Sequence, residues 1–407
     1  MDKIELLAPA GDLEKLKTAI IYGADAVYFG GELFSLRAGA GNLTIDEMRE
    51  AMEFVHENGR KGYMTINIYP HNDDISLLKD YISKLVDIPI DAFIVSDPGV
   101  IQLIKEQMPN AEIHLSTQAN TTNYITANFW VSQGVSRIVT AREMSLKEIK
   151  ELRENLPSNI EIESFIHGAM CISYSGRCLL SNFMIGRDAN RGACTHPCRW
   201  KYALVEEKRP GEYYPIEEDG RGSYIMNSRD LCMIDSIPDL IDAGVTSFKI
   251  EGRMKSMYYV ATVVSAYRAA IDEYLNNPDC YNFNKEHFKE LSKASHREFT
   301  HGFYYHKPTD EDQNYLTSDY TRDYSFVGLV KGYDEESGLT IVEQRNKFSV
   351  GDTIEIFGPY TEYYEEEIKE MYNEEGEPIE DAPHPQQILK IKFDRVPREN
   401  FIMRKKK

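Results

Sequence analysis

From residue 3 to about 170 the chain alternates short, β-rich apolar runs with stretches of helical spacing. Strand-like runs occupy residues 4–8, 26–29, 62–67, 92–96, 112–116, 137–140 and 160–166, and an eighth, 247–250, follows a long interruption. Between them apolar residues recur one helical turn apart, as at Leu13, Leu16, Ile20 and Ile21, or Met48, Met52 and Val55. Asp12, Thr44 and Ser145 stand where side-chain oxygens cap helix amides. Gly-Ala-Asp (23–25), Asn-Gly (58–59) and Gly-Val (134–135) stand where helices should stop. Strands alternating with helices imply a parallel sheet, and eight such units predict a closed (β/α)8 TIM-like barrel. A doubly wound sheet is the alternative. Helical spacing returns over 257–275 and 285–293.

Many of these runs finish in polar or glycine-rich residues: Gly11-Asp12, Gly30-Gly31, Asn67, Asp97, Gln118-Ala119-Asn120, Arg142, His167-Gly168 and Glu251-Gly252-Arg253. In a parallel barrel all such ends lie on one rim, where active sites form. After about residue 325 the pattern changes to two-residue alternation over 326–330, 339–343, 353–357 and 388–393, with turn signals between. This predicts a small all-β, barrel-like domain. The chain thus divides into a barrel (1–300) with a cysteine-rich insertion (169–235), a polar and aromatic connection (301–324) and the β-domain (325–407).

Composition narrows the picture. Of the 407 residues, 42% are hydrophobic, enough for a sizeable core. No apolar run reaches the roughly 18 residues of a membrane span. The first residues are broken by charge and lack a secretory h-region, so a cytoplasmic location is expected. The net charge of −20 argues against a broad nucleic-acid footprint, though not against a local basic groove around Arg187, Arg191, Arg199, Lys201, Lys249, Arg253 and Lys255. Ten acidic residues face one lysine over 362–381, and Arg404–Lys407 reverses the sign; both read as solvated faces.

The strongest chemical signal is the cysteine series. Cys171, Cys178, Cys194, Cys198 and Cys232 fall within 62 residues, and Cys280 stands apart. A buried cysteine is commonly just a small hydrophobe. Five in one glycine- and arginine-rich stretch beside a barrel rim instead suggest thiolates converging on an iron–sulfur cluster. Structural zinc is second, because only Cys194/Cys198 has the short spacing zinc sites favour.

The segments 163–181, with Glu163, His167, Cys171 and Cys178, 186–200, with Cys194 and Cys198, and 248–256 together resemble peptidase family U32, the collagenase-like peptidases of unassigned catalytic type. The likeness spans nearly the whole chain. It is nearest to the branch of that family that forms 5-hydroxyuridine at the tRNA wobble position with prephenate as co-substrate. Relatives in ubiquinone and ribosomal RNA hydroxylation carry 4Fe-4S clusters on similar cysteines. The resemblance implies Cys171, Cys178, Cys194 and Cys232 as cluster ligands and Cys198 as a fifth candidate. It further implies tRNA as substrate, with a paralogous or homo-oligomeric partner as a further expectation. Rim residues His167, Lys249, Glu251 and Arg253 are candidates for proton transfer, and Arg199 for binding a dicarboxylate. For each alone, a structural ion pair or hydrogen bond is an equal explanation.

The family's name implies proteolysis, which is the main alternative. His-Glu-x-x-His and Gly-x-Ser-x-Gly motifs are both missing from the sequence. A cysteine nucleophile served by His167 or His196 remains conceivable, but a cysteine bound to iron is not free to attack a peptide. A non-enzymatic cluster-bearing partner protein is a third alternative, disfavoured by the polar rim.

Overall fold

The computed structural model describes residues 4–37, 39–171, 173–175, 177–200, 203–204, 214–215, 229–307, 320–360 and 363–407. Lys201 and residues 308–319 of the connection lie outside the described residues, as does the Arg199 side chain.

Seven parallel strands run in chain order: β1 (Glu5–Pro9), β2 (Ala26–Gly30), β3 (Lys61–Ile66), β4 (Ala92–Val95), β5 (Ile113–Leu115), β6 (Arg137–Val139) and β7 (Glu161–Ala169). The strand Ser247–Ile250 pairs in parallel with both β7 and β1. That double pairing closes an eight-stranded barrel and excludes the doubly wound alternative. Helices begin where capping side chains satisfy orphan amides. Asp12 accepts from the Lys15 amide, and Thr44 and Ser145 form full capping boxes with Glu47 and Glu148.

Inside the barrel, Leu7, Ala26, Tyr28, Tyr63, Ala92 and Ile94 form an apolar plug. The larger core lies between strands and helices. The helix Met257–Asn276 is buried along most of its length, packed against β1 and the helices Leu13–Ile21, Ile237–Asp242 and Lys285–Lys293, with Tyr258 stacked on Phe326 of the β-domain. Between β7 and Ser247–Ile250 the chain leaves the barrel for the cysteine-rich insertion. It returns through Asp230–Cys232, which pairs antiparallel with the end of β7.

The C-terminal domain is an antiparallel half-barrel of seven strands. Three of them escape the alternation pattern: Tyr364–Glu367, Met371–Tyr372 and Ile402–Lys406. The first lies at the sheet edge and carries acidic side chains to solvent. The last corrects the expectation that the basic C-terminal run is a solvated face. Ile402 packs with the barrel core, Met403 with the β-domain core, and Arg404 is fully buried. A strand covered on both faces shows no alternation. Arg404 donates to Glu290 at 2.6 Å and to Glu355, so the same guanidinium ties the helix Lys285–Lys293 to the sheet.

Arg404→Met removes the cation between these carboxylates and is expected to cost about 3–5 kcal/mol. Urea unfolding checks this, with exposed Lys406→Ala as control, expected to stay within about 0.5 kcal/mol of the parent.

Candidate active site at the barrel mouth

The interior charges rise in a ladder from the bottom of the barrel to its mouth. Arg137 on β6, 1% exposed, donates to Glu5 at 2.6 Å and to Glu163 at 3.1 Å. Glu163 also accepts from Lys249 at 2.5 Å. Burial alone would raise the carboxyl groups of Glu5 and Glu163; the charges of Arg137 and Lys249 outweigh it, holding Glu5 at about 2 and Glu163 below its usual value. Lys249, with its ammonium 4.3 Å from the centre of the Tyr28 ring, forms the floor of the mouth.

Above this floor the cavity is lined by Tyr28, Arg37, Arg142, Lys249, Glu251 and Arg253, among others. Glu251 accepts from Arg37 at 3.1 Å and Arg142 at 3.4 Å. Burial would raise the Glu251 carboxyl, but those two arginines hold it at about 2. Arg253 differs. It is 3% exposed and donates to Ser35 at 2.8 Å, to the Leu36 carbonyl at 2.9 Å, to Thr65 at 3.1 Å and to Asn42, all neutral. Burial lowers its guanidinium to about 10. Arg142 Nε, Arg253 Nε and Gln118 Oε1 around this cavity are buried without a hydrogen-bond partner among the described residues. Three guanidiniums thus face one carboxylate, and several polar atoms lack partners; this is the chemistry of a seat for an anion.

Local backbone makes this arrangement possible. A β-carbon on Gly30 would lie 2.1 Å from Arg253 Nη2, so only glycine leaves room for the guanidinium. The loop after β2 holds Phe34, Arg37 and Asn42 at positive φ, a costly conformation that Arg253 braces through Ser35, Leu36 and Asn42. Arg253 is therefore a positioning residue for Arg37.

The structure separates His167 from this group. Pairing of β7 with Ser247–Ile250 shifts register between Lys249 and Ile250, so His167 pairs with Ile250. Gly168 (φ 106°) completes the bulge. Ile250 and His167 therefore point outward, and the imidazole packs against Tyr259, Tyr267 and Phe299. Burial lowers it to about 3, so it is neutral at physiological pH.

The insertion lies over the rim. Asn120, after β5, donates to the Ser175 carbonyl at 3.3 Å, and Asn190 exchanges hydrogen bonds with the backbone of Tyr69, after β3. Ser181 accepts from the Thr195 amide at 3.3 Å, joining the helix after Cys178 to the loop of Cys194. Cys171 is exposed and lies near enough to Arg37 to act on its charge. Cys178, Cys194 and Cys198 are half-buried, and the His196 amide donates to Cys194 Sγ at 3.4 Å. Thiols, one of them accepting an amide hydrogen bond at sulfur, are the donor type that an iron–sulfur cluster takes. Cys232 has a different setting. It is 4% exposed, lies opposite His167, and accepts from the Tyr267 hydroxyl at 3.9 Å; burial pushes its thiol up to about 12. Cys280 is exposed in a separate turn.

Arg37 and Arg142 are the site residues that sequence reasoning missed. Arg37 sits in an aperiodic loop, and Arg142 stood only as one of many polar strand ends. Their one signal was position after a strand at the rim.

Comparisons with known proteins agree with this architecture. Residues 11–314 match Peptidase family U32, and residues 322–404 match the Peptidase family U32 C-terminal domain. The chain is 45% identical to tRNA hydroxylation protein P1 of Bacillus subtilis, over 100% of this chain and 95% of that one. It is 38% identical to tRNA hydroxylation protein P of Escherichia coli, over 94% and 92%. A protein named Collagenase from Porphyromonas gingivalis is 33% identical over 95% and 94%. With both regions matched and the barrel closed, the chain belongs to peptidase family U32.

Proposed function

We propose that this protein is a tRNA-modifying enzyme that hydroxylates the wobble uridine to 5-hydroxyuridine, using prephenate and a 4Fe-4S cluster. The observation that carries this reading is the excess of positive charge at the mouth, next to Cys171 and the insertion. Prephenate carries two carboxylates, which match the two charges left over after Glu251 is paired. The names of the U32 relatives from B. subtilis and E. coli support RNA hydroxylation as the reaction class. A cytoplasmic location is part of the proposal, since tRNA is the substrate. No helix among the described residues is long and apolar enough to cross a membrane.

In this reading Arg37 and Arg142 bind one carboxylate of the metabolite in place of part of their bond to Glu251. Arg253 holds the loop that presents Arg37, and its long-range charge favours the second carboxylate. Lys249, paired with Glu163, sets the polarity of the floor. Cys171, Cys178, Cys194 and Cys232 hold the cluster, with Cys198 as the alternative to Cys232, because Cys232 is buried below the insertion beside Tyr267 whereas Cys198 lies on it. The bound cluster would supply electron transfer beside the anion seat. The Collagenase relative is the observation that favours proteolysis; incubation with gelatin, with and without chelator, checks that second reading.

Deletion of the gene is expected to abolish 5-hydroxyuridine in tRNA, read by nucleoside mass spectrometry; unchanged wobble uridines in a strain with no duplicate gene reject the proposal. In anaerobically purified protein, Cys171→Ala, Cys178→Ala and Cys194→Ala should each lose iron, whereas Cys280→Ala should keep it. Iron lost in Cys232→Ala but kept in Cys198→Ala assigns the fourth ligand to Cys232, and the reverse assigns it to Cys198. Arg37→Met should raise the KM for prephenate roughly tenfold or more, the worth of a charge-assisted hydrogen bond.

A further inference from the structure

We propose that the outward face of the insertion, centred on Leu179 and Phe183, is the docking surface for an unpaired RNA loop. This rests on the RNA-modifying reading above and assigns the substrate contact to particular side chains. Phe183 is 88% exposed and Leu179 73% exposed, the most exposed large apolar side chains in the described residues. They stand one helical turn apart, joined by the bond from the Phe183 amide to the Leu179 carbonyl at 2.8 Å, and so share one face. Met184 and Ile185 on the same helix, and Tyr174 and Trp200 elsewhere on the insertion, are exposed as well. A soluble protein does not ordinarily gather so much apolar surface without a partner.

Charge selects the partner. Between residues 171 and 200 four arginines stand against one aspartate, in a chain whose net charge is −20; of these, Arg191 is paired with Asp74 at 2.7 Å. Arg187 follows directly on the helix, is exposed, and has no carboxylate partner among the described residues. Arg177 lies exposed with its guanidinium 5.3 Å from the centre of the Tyr69 ring. Aromatic and aliphatic surface interleaved with guanidinium groups is what splayed bases and their phosphates require. A second copy of this acidic chain gains less from that pattern. The insertion is anchored to the strand ends at Asn120 and Tyr69, so an RNA loop resting on it lies beside the mouth where the chemistry occurs.

The test is fluorescence anisotropy of full-length protein with an unmodified tRNA transcript, together with the nucleoside assay. Phe183→Ala and Leu179→Ala should each weaken tRNA binding roughly tenfold while leaving iron content and the KM for prephenate unchanged. Arg187→Gln should weaken binding and flatten its salt dependence. Phe129→Ala, an exposed aromatic on the outer helix Tyr124–Ser132, should bind as the parent does. Parental affinity in both Phe183→Ala and Leu179→Ala, in protein that still hydroxylates tRNA, overturns this inference and leaves the functional reading intact. Light scattering that finds parent dimers dissociated by Phe183→Ala, with tRNA binding unaltered, also overturns it, in favour of a contact between copies. A parent that neither binds nor modifies tRNA removes the functional reading itself.

Discussion

Charge inside the barrel has to be neutralised, and the architecture of the mouth follows from how far that neutralisation extends. At the bottom the account is complete: Arg137 meets Glu5 and Glu163, and Glu163 meets Lys249. Such buried ions are tolerable only when every partner is present. One layer higher the compensation runs out. Glu251 answers Arg37 and Arg142, while Arg253 is held by neutral oxygens alone. The same rule that stabilises the lower layers leaves the upper one with positive charge to spare.

Stability and function are coupled through a few close approaches. The loop after β2 adopts left-handed conformations at three non-glycine residues, and Arg253 supplies the hydrogen bonds that hold it. The residue that braces the loop is thus also one that lends the mouth its positive potential. The β-domain acts from the other side. Arg404 links Glu355 of its sheet to Glu290 of the helix Lys285–Lys293, and Tyr22 on the barrel donates to the Asn400 carbonyl at 2.8 Å. Tyr258 of the helix Met257–Asn276 stacks on Phe326 of the β-domain, and Tyr259 and Tyr267 of the same helix enclose His167.

The cysteines divide by environment. Four lie on the insertion above the rim, partly exposed, whereas Cys232 lies below it in an apolar setting that favours the neutral thiol. Spacing along the chain treats Cys194, Cys198 and Cys232 alike as members of one series. Their burial does not, because the antiparallel strand that carries Cys232 returns along β7 toward the core.

The sequence by itself determined the eight barrel strands, their capped helices, and the grouping of Lys249, Glu251 and Arg253 on one rim. Those features follow from local periodicity and from the rule that parallel strand ends share a face. It also located the cysteine-rich insertion, since composition needs no folding to be read. Tertiary structure alone decided the rest. One register shift between β7 and its neighbour turned His167 out of the barrel, and a single extra residue in a ladder leaves no mark on hydrophobic spacing. Burial on both faces made a strand of Ile402–Lys406 and placed Arg404 in the core, because non-local carboxylates received its charge. Arg37 joined the site for the same physical reason: its partner, Glu251, is 214 residues away along the chain and is brought near only when the barrel closes.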